Sequence, residues 1–92
     1  MNIEVEQIVD ADPMIFNVTL SDTAGSTRHR VTLTDRYYEK LCKRRVAPTR
    51  CIEASFRFLL ERESKSDILK SFDLNVVKLH FPRFEDDIAG YL

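Results

Sequence analysis

The sequence predicts an α+β protein, with an N-terminal antiparallel β-hairpin or three-stranded sheet packed against three to four C-terminal helices. Two observations predict it. Apolar and polar residues alternate with period two from Met14 to Leu20 and again from Arg28 to Thr34, the pattern of half-buried strands. From Asp35 onward the apolar spacing becomes that of amphipathic helices. Ninety-two residues are enough for one thin core. The chain therefore reads as a single small domain, 1–92, with a β-rich part (1–34), a helical part (35–82) and a tail (83–92).

Each element has a local reason. Met14, Phe16, Val18 and Leu20 share one face of the first hairpin strand, and His29, Val31 and Leu33 share one face of the second. The segment Ser21–Thr27 carries Asp22 and Gly25, which suit a turn. Pairing Phe16 with Leu33, Val18 with Val31 and Leu20 with His29 keeps the apolar residues on one face. A bare hairpin is marginally stable, so Ile3 and Val5 in "NIEVEQIV" predict a third strand.

Thr34 or Asp35 caps a helix expected from Arg36 to about Val46, with Tyr37, Tyr38, Leu41 and Cys42 facing inward. Pro48 opens a second helix, "TRCIEASFRFLLERE", whose apolar residues cover about half its circumference. Arg57 has Glu53 and Glu61 at i±4 on the wet side. Ser66-Asp67 predicts a third helical piece over "DILKSF". Asp73 predicts a fourth over "LNVVKLHF", a stretch that also supports strand alternation. The tail has Phe84, Ile88, Tyr91 and Leu92 to bury.

The run "ASFRFLLERESKSDILKSFDLNVVKLHFPRFEDDI", residues 54–88, together with "RVTLT", is similar to small bacterial protein families without assigned function. The resemblance implies a cytoplasmic bacterial protein with a hairpin followed by helices. It brings no catalytic motif.

Charge is segregated along a chain of net charge −1. Residues 1–27 hold Glu4, Glu6, Asp10, Asp12 and Asp22 and no Lys or Arg, whereas residues 28–58 hold nine cations against Asp35, Glu39 and Glu53. The candidate site for an anionic partner is Arg28, Arg30, Arg36, Lys40, Lys43, Arg44 and Arg45. Arg36, Lys40, Lys43 and Arg44 would form a stripe along one helix face. A sequence pI near 6.1 lacks the surplus of dedicated nucleic-acid binders.

No segment approaches the ~20 apolar residues of a membrane span, and the acid-bearing N-terminus does not read as a secretory signal. A cytoplasmic location is the expectation. Cys42 and Cys51 are nine positions apart and lie on apolar helix sides, so they are expected as free, packed thiols. His29 has no recognisable nucleophile motif beside it, and the consecutive acids Glu85, Asp86 and Asp87 project in different directions. No catalytic residue, metal site, cofactor or small-molecule substrate is expected. These features predict a small protein-interaction or accessory module, with a protein partner or self-association. The alternative is a non-catalytic nucleic-acid-binding or regulatory protein using the basic face of residues 28–50.

Overall fold

The computed structural model describes residues 1–92. The period-two segments form a sheet. Strands β1 (Asn2–Val9), β2 (Met14–Asp22) and β3 (Gly25–Leu33) make an antiparallel meander. A short strand, β4 (Ser71–Asp73), joins β3 in parallel, giving the order β1-β2-β3-β4. Four helices accompany the sheet: α1 (Asp35–Cys42), α2 (Pro48–Leu60), α3 (Val77–His80) and α4 (Phe84–Asp87). Two 3-10 turns, Leu74–Val76 and Ile88–Tyr91, lead into α3 and finish the chain.

The inward residues are those the alternation selects. Met14, Phe16, Val18, Leu20, Val31 and Leu33 are buried, and Ile3 and Val5 pack against them from β1. The hairpin register differs from the expected one by two residues: Phe16 opposes Val31, Val18 opposes His29 and Leu20 opposes Thr27. The strands run further into the turn than composition suggested, because Asp22 pairs with Gly25 and leaves only Thr23 and Ala24 as the loop. The Asp22 carboxylate accepts from Ala24 N at 2.9 Å, and Gly25 has φ +138°. An even shift keeps each side chain on its face, so the core residues are unchanged.

Helix α1 starts where its cap dictates, with Thr34 Oγ1 accepting from Tyr37 N at 3.1 Å. It ends at Cys42, short of the expected Val46, because Lys43 and Arg44 turn left-handed at φ 49° and 56°. Two successive non-glycine residues in that region are unfavourable, and the surrounding contacts hold them there. Lys43 N donates to Glu39 O at 2.8 Å, Arg45 N donates to Cys42 O at 2.9 Å, and the Tyr38 hydroxyl donates to the Val46 carbonyl. The expectation of free thiols is overturned at the same place. Cys42 and Cys51 are joined by a disulfide, their Cα atoms 6.5 Å apart, tying the end of α1 to the first turn of α2. Both sulfurs lie in the core, as their helical angles require, and the tight turn brings the two inward positions together.

Helix α2 is apolar on opposite sides. Phe56 and Phe58 are two residues apart, ~200° around the axis, and both are buried. Phe56 packs toward the sheet, with ring centroids 5.7 Å from His29 and 6.0 Å from Phe72. Phe58 meets the C-terminal segment, with Phe84 at 5.0 Å, Tyr91 at 5.7 Å and Phe81 at 5.9 Å. The tail is therefore a wall of the core.

The helix expected over "DILKSF" is absent. Ser64 and Asp67 close a turn, with Asp67 N donating to Ser64 O at 3.0 Å and Ser64 Oγ donating to the Asp67 carboxylate at 2.9 Å. Six residues make a poor isolated helix, whereas the open edge of β3 offers ladder bonds, beginning with Arg30 N to Lys70 O at 2.8 Å. The competing strand tendency of 74–81 loses: Asp73 caps, accepting from Asn75 N at 2.9 Å, and helix follows.

Closing a loop of nine-residue separation removes chain entropy from the unfolded state. Reducing the disulfide, or replacing it by Cys42→Ser with Cys51→Ser, is expected to lower unfolding free energy by ~2–3 kcal/mol. Urea unfolding with and without reductant measures this, and identical midpoints would show that the bond does not stabilise the fold.

Candidate interaction surfaces

The seven candidate cations do not form one surface. Arg44 is committed within the chain: its guanidinium donates to both Asp35 carboxylate oxygens at 2.9 and 2.8 Å, lies 3.7 Å from Glu39 and sits 5.6 Å from the Tyr38 ring centroid. Lys40 is 3.5 Å from Glu85. Arg36, Lys43 and Arg45 are exposed and unpaired, but the end of α1 at Cys42 removes the last two from the helix. The expected four-residue stripe is thus broken both in geometry and in charge.

Arg28 and Arg30 are in a different situation. They stand on the outward face of β3, exposed and without an ionic partner. The pairing extends from them across the sheet in two rows, Arg28–Thr19–Glu4 and Arg30–Asn17–Glu6. Glu4 and Glu6 are exposed on β1 without an ionic partner, Glu4 accepting from the Asn2 side-chain amide at 3.1 Å. Strands two apart are separated by ~10 Å, too far for these acids and cations to neutralise each other directly. Lys70 joins Arg28, Arg30, Glu6, Asn17 and Thr19 around a shallow depression of about 450 Å³. The outer face therefore carries an acidic column and a basic column separated by a neutral one.

Sequence reasoning recovered only Arg28 and Arg30 of this surface. Glu4 and Glu6 become visible once β1 is registered against β2, because strand parity sets them on the outward side. Lys70 arrives through a long-range parallel pairing for which the sequence offers no local signal.

The free edge of β1 is a second surface, eight residues long. Two copies paired antiparallel along it, with Val5 opposite Val5, would set Glu4 against Glu6. Like charges directly opposed in a ladder are destabilising. That register is accordingly disfavoured. The outer edge of β3 is interior at Arg30–Thr32, where β4 covers it.

Of the remaining titratable candidates, His29, Glu85 and Asp87 are engaged in structure and Asp86 is exposed. His29 is 2% exposed, with Nδ1 2.7 Å from Leu69 O and Nε2 2.8 Å from Thr27 Oγ1. A carbonyl only accepts, so Nδ1 carries the hydrogen and Nε2 accepts from the threonine hydroxyl. Glu85 accepts from the Tyr37 hydroxyl at 2.8 Å; that bond, with Lys40 and Lys78 nearby, holds its carboxyl below the usual range. Asp87 instead faces Arg83 at 3.3 Å and Arg62 at 3.9 Å. No three His, Cys, Asp or Glu side chains are grouped to hold a metal ion, and no helix is long and apolar enough to cross a membrane. Comparison with protein-family models, curated proteins and solved structures finds no match.

Burial lowers the pKa of His29 from 6.5, opposed by the Leu69 carbonyl and reinforced by Lys70. The unfolded chain then binds the proton more readily, so His29's contribution to stability is full above pH 6.5 and is lost as pH falls toward and through its depressed folded value. Urea midpoints measured between about pH 7.5 and pH 5.5 are expected to fall, and His29→Gln should flatten that slope. An unchanged slope in the variant would assign the effect elsewhere.

Proposed function

We propose that this chain is a small, non-catalytic protein-interaction module that docks through the open face of its sheet. The observation that carries the reading is the pair of rows Glu4–Thr19–Arg28 and Glu6–Asn17–Arg30. Their charges are exposed, ordered by strand and unspent inside the chain. Complementary potentials of this kind select partners and accelerate encounter.

A second copy is the simplest partner with the reverse order. Rotation by two-fold symmetry about an axis parallel to β2 sets β1 of one copy over β3 of the other, with Glu4 over Arg28 and Glu6 over Arg30. The face measures roughly 15 by 25 Å, or ~400 Å² per copy, from ordinary strand spacing and rise. Stable complexes bury ~800 Å² per partner, so this pairing is weak and reversible. The same cations support a second reading, non-catalytic nucleic-acid binding, because Arg28, Arg30 and Lys70 converge on one depression.

Charge reversal separates the readings. Wild type is expected to self-associate at high micromolar concentration and low salt, measured by sedimentation velocity. Glu4→Lys with Glu6→Lys, and separately Arg28→Glu with Arg30→Glu, should each give monomers, because every facing pair then carries like charge. Mixing the two variants should restore a pair. A wild type that stays monomeric, or a mixture that fails to associate, counts against self-docking. Generic single-stranded DNA binding that weakens steeply with salt and is lost in the arginine variant would establish the second reading instead.

A further inference from the structure

Five carboxylates are half-buried in this protein: Glu53, Glu63, Asp73, Glu85 and Asp87. Four have partners. Glu53 is held by Arg50 and Arg57, Asp73 by Thr32 and Asn75, Glu85 by Tyr37, Lys40 and Lys78, and Asp87 by Arg62 and Arg83. Glu63 has neither an ion pair nor a side-chain hydrogen bond. A desolvated carboxylate without a partner is unfavourable, so its surroundings need an explanation.

Glu63 lines a cavity of about 250 Å³ between the end of α2, the segment leading into β4, and α3. The walls are apolar, formed by Leu59, Ile68, Phe72, Val76, Val77 and Phe81. Leu69 lines it too while remaining 52% exposed. Asp67 is the second acid of the cavity and His80 completes it. No cation of this chain forms an ion pair with Glu63 or Asp67. Burial pushes the Glu63 carboxyl above its usual range, with Asp67 adding to the effect and His80 opposing it.

These features define a ligand by elimination. An anion would meet two like charges. A wholly apolar group would leave Glu63 uncompensated and remove what remains of its hydration. A cation on a short apolar stem satisfies both parts, with its stem against the aliphatic and phenylalanine walls and its charge at Glu63 and Asp67. Phenylalanine faces also attract ammonium groups. The volume lies below the ~300–1,000 Å³ of sites for drug-sized ligands, which limits the stem to a few carbons.

We infer that this cavity binds a primary alkylammonium group, with Glu63 as its principal counter-charge and Phe72 and Phe81 among the walls that take its stem. The site stands apart from the outer sheet face and does not depend on the docking reading. The group could be a free amine or a lysine side chain presented by a partner, since their reacting ends are the same.

The test is a titration followed by amide and methyl NMR of the full chain at neutral pH and constant ionic strength. The probes are n-butylammonium, 1-butanol, butyrate and N-acetyl-lysine-N-methylamide. Butylammonium is expected to shift Ile68, Leu69, Val76 and Val77 resonances saturably, while butanol and butyrate do not. Glu63→Gln should weaken that binding roughly tenfold or more, the loss expected for one charge-assisted bond. The variant's retained amide dispersion shows that it is folded. Binding of butylammonium alone identifies a free-amine site, whereas binding of the blocked lysine as well admits a partner's side chain. No saturable shift, an equal response to butanol or butyrate, or undiminished binding by the folded variant overturns the inference. Should Glu63→Gln lose dispersion, Asp67→Asn provides the second variant, and unaltered butylammonium affinity there would overturn the two-carboxylate site.

Discussion

Burial of α2 on two opposite sides is the constraint on which the rest of the molecule depends. A helix with one apolar stripe is satisfied by one sheet face, but Phe56 and Phe58 each need a dry partner. The sheet serves the first. The second forces the final third of the chain back across α2, where Phe81, Phe84 and Tyr91 contribute aromatic edges. Arg62 closes this side, its guanidinium 3.7 Å from the Phe58 ring and bonded to Phe58 O and the Tyr91 hydroxyl. Short helices that could not persist alone are thereby held by tertiary packing. The cavity beside Glu63 lies where this returning chain, from Asp67 to Phe81, meets the end of α2.

Much of this architecture is legible from residues that obey one local rule. Period two located β1 to β3, Pro48 located the start of α2, and Thr34 and Asp73 acted as caps. The failures share a cause. The tight loop at Thr23-Ala24, the left-handed pair Lys43-Arg44, the disulfide and the parallel strand β4 are all decided by contacts between distant segments or by a single turn geometry. A helix tendency in "DILKSF" could not compete with the hydrogen bonds waiting on β3. The basic candidates illustrate the same limit. Residue spacing assigned four of them to one helical stripe, but whether a cation is free depends on acids elsewhere, such as Glu85 beside Lys40, that only the fold brings near.

Electrostatics therefore divides the surface by availability rather than by sign. Asp35, Glu39 and Glu85 engage Arg44 and Lys40, so the α1 region keeps only Arg36, Lys43 and Arg45 unpaired and the basic middle of the sequence does not become one continuous basic stripe. On the sheet the opposite holds. Pleat parity sets acids and cations on the same side, and the strand order keeps them apart, so neither column is cancelled. Two carboxylates at the cavity remain without an ion pair for a third reason: the cations of the enclosing segments are engaged elsewhere, Arg62 with Asp87, Lys65 with Asp22 and Lys78 with Glu85. An inventory of charges cannot separate these cases.

The strand β4 has a consequence for how many neighbours this protein can accept. By occupying Arg30–Thr32 it shortens one side of the sheet, while β1 remains open along its length. A β protein with two long free margins is a bifunctional monomer, able to add a neighbour at each end and so to grow into a fibre. Here the margins are unequal, and the long one carries Glu4 and Glu6 against its own kind. The sheet thus has one long open margin rather than two. A ladder of copies would have one long margin on which to start and only the short strand Ser71–Asp73 beside the other on which to continue.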